Sequence, residues 1–233
     1  MKLQLHDLSL WRRRQPVLAG LNWTLPAGQC WVLLGENGSG KSSLLQALAD
    51  ADRELHFVGG LPQWQDLLQQ TPLASRRALA RQLQEPVLGL RVSDVLALVC
   101  VDVASCARIW GLEAQLQRSL MQLSGGQLQR LELARSWAQI QSGQGLWLLD
   151  EPFNHLDMRA QLELGERMQQ HCQHGGSVLF SAHDLQHARR WAQGVLMLAA
   201  GAQLACGASD LLGDSTLLGQ LYGLPQSLAA QLI

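Results

Sequence analysis

Apolar and polar residues alternate in the first part of the chain, in the pattern typical of β-strands. Over residues 1–34 the alternation is clearest at four leucines, Leu3, Leu5, Leu8 and Leu10. A turn is predicted at Pro26–Gly28, and the continuous apolar run Cys30–Leu34 after it is typical of a buried strand. Ser43–Ala49 has helix-forming composition. The sequence therefore predicts a β-rich N-terminal region that leads into a first helix.

Further along the chain, the pattern alternates between helices and strands. Residues 85–122 favour helices, with Val92–Asp94 as a start signal. Gly145–Leu149 and Ser177–Phe180 are short apolar runs that predict buried strands. The stretch Arg159–His171 between them predicts a helix, so strand and helix alternate again in the C-terminal half.

This order of elements indicates an α/β fold with a parallel sheet. We expect a single domain over residues 1–233. Its core is predicted to consist of residues 1–84 and 141–233, and residues near 85–140 are predicted to form a helical insertion.

Composition and charge exclude several classes of protein. The apolar stretches Val95–Val101 and Val195–Ala200 are much shorter than the ~18 residues of a membrane span. Met1–Trp11 lacks the apolar segment of a signal peptide, so we expect a cytoplasmic protein whose membrane role, if any, depends on a partner. The net charge of −1 argues against a nucleic-acid partner.

Two smaller features favour structural interpretations. The basic cluster Arg12–Arg14 is interpreted as a solvated turn between two strands rather than a contact to phosphate or lipid. The five cysteines form no Cys-x-x-Cys pair and are expected to be reduced and mostly buried.

The first candidate for chemistry is the glycine-rich segment Gly35–Ser42 between the predicted strand and the first helix. Its glycines let backbone N–H groups surround the phosphates of a nucleoside triphosphate. Lys41 can reach the β- and γ-phosphates, and the Ser42 hydroxyl can bind Mg²⁺. The phosphates would lie at a helix N-terminus.

A second candidate follows the predicted strand Gly145–Leu149. Asp150 and Glu151 are adjacent carboxylates at its C-terminal end. Asp150 is placed to hold Mg²⁺ through water, and Glu151 can polarise an attacking water as a general base. A helix start is the alternative interpretation of such a pair, but the phosphate loop favours the catalytic one.

A third motif is Leu123–Gln127, with a helix predicted through Leu128–Gln139. A serine and two glycines at a helix N-terminus make an anion site. Since the chain already has a phosphate loop, the simplest explanation is that this second site contacts a nucleotide bound to another copy of the protein.

Over nearly all its length the chain resembles an ATP-binding cassette (ABC) ATPase of a membrane transporter, and Leu123–Gln127 matches that family's signature sequence. The resemblance implies a P-loop NTPase core with an N-terminal antiparallel β subdomain, ATP and Mg²⁺ as ligands, and two subunits paired head to tail. It implies ATP contacts from one subunit at Gly35, Glu36, Asn37, Gly38, Ser39, Gly40, Lys41, Ser42 and Ser43. From the second copy it implies contacts at Ser124, Gly125, Gly126 and Gln127.

Other family elements can be placed residue by residue. Trp11 resembles the aromatic that stacks on adenine, although it could equally be a core residue. Gln84 resembles the glutamine that approaches Mg²⁺ and senses the permease, but Gln82 is close by. Asp157 ends the loop Asn154–Asp157, which is similar to the loop that touches the opposite subunit.

Four histidines follow the loop Asn154–Asp157 in the sequence. His183 resembles the catalytic histidine that contacts the γ-phosphate. A metal site with His187, four residues on and on the same helical face, is the alternative. His171 and His174 are expected to lie at a solvated helix end.

The C-terminal third is similar to ATPases that import cobalamin, haem and ferric siderophores, through Ser181–Leu185, Leu198–Ala202 and Leu221–Gly223. The interval from Lys41 to Ser124 is too short for the long coiled coil of DNA-repair cassettes. The resemblance implies permease subunits, an external substrate-binding protein, and a place at the cytoplasmic face of the membrane. An exporter ATPase and a soluble regulatory ATP-binding module remain as alternatives.

Overall fold

The computed structural model describes residues 2–65, 77–81, 89–140 and 145–233. The strands are β1 Lys2–Arg12, β2 Gln15–Leu25, β3 Cys30–Leu34, β4 Leu55–Val58, β5 Gln63–Gln65, β6 Arg77–Ala80, β7 Leu146–Leu149, β8 Ser177–Ser181, β9 Gly194–Ala199 and β10 Ala202–Ala208. The helices are α1 Lys41–Leu48, α2 Val92–Ala97, α3 Val103–Ile109, α4 Gly125–Ile140, α5 Met158–Gln173, α6 Leu185–Trp191, α7 Ser215–Leu221 and α8 Gln226–Ala229.

The strands form one mixed sheet in the order β4-β1-β2-β10-β9-β3-β8-β7-β6, with β5 paired to β1. Strands β9, β3, β8, β7 and β6 are parallel neighbours. Strands β1, β2, β4 and β5 pair antiparallel, and β10 joins the two parts of the sheet. The predicted α/β class with a parallel core and an antiparallel N-terminal part is confirmed.

The parallel strands are buried on both faces, which explains why their sequences are continuous apolar runs. Along β3, Cys30, Val32 and Leu34 face one hydrophobic cluster, whereas Trp31 and Leu33 face the other. The first cluster also contains side chains from α2 and α4. The region after residue 89 therefore packs on the same core as the sheet.

The predicted start of the helical region is found at α2. The Asp94 carboxylate accepts a hydrogen bond of 2.8 Å from the backbone N–H of Arg91, the residue before the helix. From residue 89 to residue 140 the structure contains helices, with one isolated β-bridge between Arg91 and Ser119. The division of the chain into a core and a helical insertion stays a prediction.

Arg12–Arg14 lies at the hairpin between β1 and β2, as its interpretation as a turn requires. Arg13 and Arg14 both have positive φ, 46° and 69°, as in a tight two-residue hairpin. Arg12 and Arg13 pair with carboxylates in the segment that precedes β4, Asp52 and Glu54 respectively. These two arginines therefore join the hairpin to the segment before β4.

Two further properties concern the whole described chain. Cys30, Cys106 and Cys172 are buried, as expected for small apolar side chains. Within the four described ranges, no helix has both the length and the apolar character needed to span a bilayer.

The topology brings the ends of several strands to one edge of the sheet. In the register of the sheet Ala80 pairs with Leu149, Leu149 with Phe180, and Leu33 with Ser181. The segments that follow β3, β7 and β8 therefore emerge side by side. In open α/β sheets this carboxyl edge is where ligands bind.

Candidate functional site

The segment between β3 and α1, the predicted phosphate loop, packs closely against neighbouring strands at two of its glycines. A Cβ added to Gly35 would lie 2.3 Å from the carbonyl oxygen of Leu198. At Gly40, where φ is 102°, a Cβ would lie 2.7 Å from Leu18 Cδ2. The backbone contact excludes a side chain at Gly35, and the positive φ disfavours one at Gly40, so the conformation of this loop requires both glycines.

Lys41 is the first residue of α1, and its side chain folds back over the loop. Its Nζ donates to the carbonyl oxygens of Gly35 and Glu36, at 2.7 and 2.9 Å. Burial lowers the pKa of the ammonium group, and the negative charges of Glu151 and Asp150 oppose that shift. The lysine and the two predicted carboxylates thus belong to one electrostatic site.

The other residues of the predicted phosphate loop contribute further polar groups. Ser42 and Ser43 lie in the first turn of α1, and Glu36 and Asn37 are exposed on the loop. Within the described part of the chain, the buried Ser39 hydroxyl has no hydrogen-bond partner. The loop therefore offers polar groups beyond those that its own fold uses.

Asp150 and Glu151 follow β7 and are held by one serine. The Ser181 hydroxyl donates to Asp150 Oδ1 at 2.7 Å and accepts from the Glu151 backbone N–H at 2.8 Å. Glu151 adopts a left-handed backbone conformation with a φ of 48°. Because of this geometry, Asp150 and Glu151 are fixed in different orientations although they are adjacent in sequence.

The carboxylate of Glu151 contacts two further predicted elements. His183 Nε2 is 2.5 Å from Glu151 Oε1, and Asn154 Nδ2 donates to Oε2 at 2.6 Å. The structure therefore brings the predicted base and the predicted catalytic histidine together. Both carboxylate oxygens are oriented by hydrogen bonds.

The alternative that placed His183 and His187 on one helical face is wrong. Helix α6 begins at Leu185, and Asp184 caps it by accepting from the Gln186 N–H at 2.7 Å. His183 lies outside the helix, at the end of the segment after β8. His187 stacks on Phe153, with ring centroids 4.1 Å apart.

The segment Ser124–Gln127 forms the N-terminus of α4. The Ser124 and Gln127 side chains each accept from the other's backbone N–H, at 3.3 and 3.0 Å. This reciprocal pair is a capping box. Ser124 and Gly125 are exposed, so this surface is available to another molecule.

Helix α4 is also tied to the loop that follows Glu151. Gln129 Nε2 donates to the Pro152 carbonyl oxygen at 3.2 Å, and Arg130 pairs with Asp157 at 2.8 Å. A Cβ on Gly126 would lie 2.5 Å from the carbonyl oxygen of His155. The segment Ser124–Gln127 and the loop that follows Glu151 therefore pack together within one chain.

The remaining predicted residues differ in outcome. Trp11 is half-buried near the end of β1 and lies outside both hydrophobic clusters. Gln84 and the neighbouring Gln82 lie outside the described residues. The roles assigned to Trp11 and Gln84 stay predictions.

The expectation of a solvated helix end holds for His174 but is wrong for His171. His171 is only 4% exposed, and its Nε2 is 2.9 Å from the Gly145 carbonyl oxygen. Burial lowers the pKa of this imidazole, and the hydrogen bond to Gly145 opposes the shift. His171 joins α5 to the segment before β7.

Ser181 is the site residue for which the motifs predicted no role. The sequence pattern nevertheless indicated where Ser181 lies, because β7 and β8 were both predicted as strands of a parallel sheet. In adjacent parallel strands, the residues just after the buried runs lie side by side. Ser181 is thus placed beside Asp150.

The oxygen groups of this site suit a magnesium ion. Hydroxyl and carboxylate oxygens are the ligands that Mg²⁺ prefers, and Ser42 and Asp150 supply one of each. Asp150 is 9% exposed and has no ion-pair partner among the described residues. A buried carboxylate without a cation is costly, so the donor set fits a bound cation.

Known proteins resemble the chain over most of its length. The family model described as ABC transporter matches residues 18–154. The vitamin B12 import ATP-binding protein BtuD of Salmonella paratyphi A is 35% identical over 237 aligned positions, which cover 95% of this chain and 92% of that protein. The hemin import ATP-binding protein HmuV of a Jannaschia species is 34% identical over 89% of this chain and 82% of its own length.

A solved structure supports the fold. The ATP-binding subunit of an ABC transporter superposes with a TM-score of 0.74 at 24% sequence identity, covering 100% of this chain and 99% of that one. The family match covers residues 18–154, and the two relatives span nearly the whole chain. The chain belongs to the ABC transporter family.

Proposed function

We propose that this chain is the ATP-hydrolysing subunit of an ABC importer for a metal chelate such as cobalamin or haem. The observation that carries ATP hydrolysis is the arrangement at the carboxyl edge of the sheet. There Glu151, oriented by His183 and Asn154, shares an electrostatic site with Lys41. Import of a chelate is supported by relatives named for import of vitamin B12 and hemin.

In this mechanism the phosphate loop binds the triphosphate of ATP and Lys41 contacts its β- and γ-phosphates. The oxygen of a water molecule attacks the γ-phosphorus, and Glu151 accepts the proton that this water loses. The bond from that phosphorus to the bridging oxygen breaks, and its electron pair leaves with ADP. His183 and Asn154 keep the Glu151 carboxylate in position.

The proposed metal site consists of Ser42, Asp150 and Gln84. Mg²⁺ supplies positive charge that neutralises phosphate oxygens when it is bound there. Ser181 keeps the Asp150 carboxylate oriented through its 2.7 Å hydrogen bond. Trp11 is proposed to stack on the adenine.

The proposed active form is a head-to-tail dimer of two copies. The exposed Ser124–Gln127 segment of one copy would contact the ATP held by Gly35–Ser43 of the other. The capping box of this segment uses the Ser124 and Gln127 side chains but leaves N–H groups of the first turn available. These groups are suited to phosphate oxygens.

The permease is proposed to dock at a groove beside the edge strand β6. Leu98, at the end of α2, is 79% exposed there. The groove has a volume of about 550 Å³, and its walls combine guanidinium groups with apolar side chains, among them Arg77, Arg81, Leu98, Val99 and Arg135. Through this contact the chain would lie at the cytoplasmic face of the membrane, with a substrate-binding protein on the other side.

The substitution Glu151→Gln tests the assignment of the base. It removes the proton acceptor and keeps the size and hydrogen-bonding capacity of the side chain, so ATP should still bind. Hydrolysis at saturating ATP should fall by roughly 10²-fold or more, as measured by phosphate release. Lys41→Ala is the contrasting variant, because it should weaken the binding of a fluorescent ATP analogue itself. Normal turnover in Glu151→Gln would contradict the proposal.

Co-purification tests the importer assignment. The tagged Glu151→Gln variant should be extracted from membranes in mild detergent and its partners identified by mass spectrometry. An importer predicts a large permease together with a chelate-binding protein. A small permease without a binding protein would instead identify an exporter.

A further inference from the structure

A second cavity, away from the phosphate loop, has the charge and size of a small-molecule site. It lies between the end of α3, the middle of α4 and the part of α5 from Arg159 to Arg167, and has a volume of about 580 Å³. None of Lys41, Asp150, Glu151 and His183 lines it. Pockets of ~300–1,000 Å³ are typical of small-molecule sites.

Guanidinium groups dominate the walls of this cavity. It is lined by four arginines, Arg108, Arg130, Arg159 and Arg167, and by two carboxylates, Asp157 and Glu163. The carboxylates are each paired with one arginine, Asp157 with Arg130 and Glu163 with Arg159. Arg108 and Arg167 have no ion-pair partner among the described residues. The cavity therefore carries an excess of positive charge.

Two of these guanidinium groups are held in place by other groups of the cavity, Arg167 by the end of α3 and Arg130 by a carboxylate. Arg167 Cζ lies 5.1 Å from the centre of the Trp110 ring, and Arg167 Nη2 donates to the Ile109 carbonyl oxygen at 3.0 Å. Arg130 is held by its ion pair with Asp157, at 2.8 Å. A guanidinium group has five N–H donors, so Arg167 keeps donors for another acceptor. Fixed side chains lose less entropy when a ligand binds.

The remaining walls of the cavity are apolar. Four aliphatic side chains line it, Ile109, Leu133, Leu156 and Leu164. Leu133, Leu156 and Leu164 are buried, whereas Ile109 is 40% exposed, so an inorganic ion would leave the Ile109 side chain in contact with water. The lining therefore suits a molecule that combines several negative groups with an apolar body.

We propose that this arginine cavity, defined by Arg108, Arg130, Arg159 and Arg167, binds a small organic polyanion with an apolar body. The site is distinct from the proposed ATP site and goes beyond the proposed function. Arg130 belongs to α4, which begins with the signature segment, and its partner Asp157 ends the loop after Glu151. An anion bound to Arg130 competes with Asp157, so occupancy of the cavity alters the contact between these two segments.

Isothermal titration with two defined probes tests the proposal. Benzene-1,3,5-tricarboxylate combines three carboxylates with a flat apolar ring, whereas citrate carries three carboxylates on a small aliphatic body. Wild-type protein should bind the aromatic probe more tightly than citrate. Arg108→Glu should weaken that binding at least tenfold, because it reverses a charge in the wall. Arg108 is exposed, so this variant should fold, and its thermal melt verifies that.

Two further variants distinguish the sites. Arg53→Glu makes the same charge change at another exposed arginine and should bind both probes like wild type. Lys41→Ala reports anion binding at the phosphate loop and should also leave the affinity for the aromatic probe unchanged. Equal losses in Arg108→Glu and Arg53→Glu would overturn the proposal, and so would a loss confined to Lys41→Ala. If citrate binds as tightly as the aromatic probe, the inference that the ligand has an apolar body is wrong.

Discussion

The Ser181 hydroxyl acts on two acidic residues in different ways. It donates to the Asp150 side chain and accepts from the backbone of Glu151. One hydroxyl thereby fixes the proposed metal ligand and supports the left-handed backbone of the proposed base. A serine without direct contact to the substrate can thus position both groups.

We predict that Ser181→Ala lowers ATP turnover about tenfold with little change in ATP affinity. The substitution leaves the partly buried Glu151 N–H without its acceptor, which costs about 1–3 kcal/mol of stability. Steady-state kinetics and urea denaturation would measure the two effects.

Ser181→Thr is the matched control, since it keeps the hydroxyl and should keep most of the turnover. Equal losses in the threonine and alanine variants would show that packing at this position, and not the hydroxyl, is what matters.

The sequence predicts single site residues well where their chemistry is local. The phosphate loop and the pair Asp150–Glu151 are recognisable because their spacing along the chain determines their geometry. Burial of His171 could not be predicted, because its partner is a carbonyl group 26 positions away that only the packing of α5 brings near. The position of His183 outside α6 depends on a cap that competes with helix extension.

At the scale of elements, α5 packs closely against the end of α6 through a glycine. A Cβ built on Gly165 would lie 2.1 Å from Cε2 of the Trp191 ring. Glycine costs a helix interior about 1 kcal/mol relative to alanine. Close approach to the tryptophan is therefore the reason that this helix tolerates Gly165.

We predict that Gly165→Ala destabilises the protein by about 1–3 kcal/mol, because the added methyl group forces the Trp191 ring out of its site. Helix propensity alone would predict that Gly165→Ala raises the free energy of unfolding. The free energy of unfolding in urea decides between them.

Gly213→Ala is the matched control, because a Cβ at Gly213 meets nothing within 4 Å. Its stability should stay within about 0.5 kcal/mol of wild type. A Gly165→Ala protein as stable as wild type would contradict the packing described for α5 and α6.

The elements that the sequence predicted were those with uniform patterns, either a short continuous apolar run or a longer helical stretch. Strands β3, β7 and β8 and helix α5 were found close to their predicted bounds. The edge strand β6 was not predicted, since Arg77–Ala80 is a four-residue run with a charged start. Strand β10 was missed as well, because its small residues, such as Ala205 and Gly207, have low strand propensity.

At the scale of the whole molecule, the proposed dimer depends on a surface that the monomer does not bury. Ser124 and Gly125 are exposed at the start of α4. In the proposed dimer, ATP is enclosed only when this surface of one copy contacts the phosphate loop of the other.

We predict that ATP drives the Glu151→Gln variant into a dimer, and that adding Ser124→Arg keeps it monomeric. The larger side chain should block the approach of the second copy and leave ATP binding to the monomer intact. Size-exclusion chromatography with light scattering would measure the mass.

Ser227→Arg, at an exposed serine of α8, is the matched control and should dimerise normally. Dimerisation of the Ser124→Arg variant at the same ATP concentration would rule out the head-to-tail arrangement.

The left-handed backbone of Glu151 has a consequence for protein engineering. This conformation is costly for most side chains but not for glycine. A screen that ranks variants by heat resistance alone would therefore favour Glu151→Gly, which lacks the proposed catalytic carboxylate. Selection for a heat-stable enzyme therefore has to measure ATP turnover in every round. At position 151 thermal stability favours glycine, whereas the proposed catalysis requires glutamate.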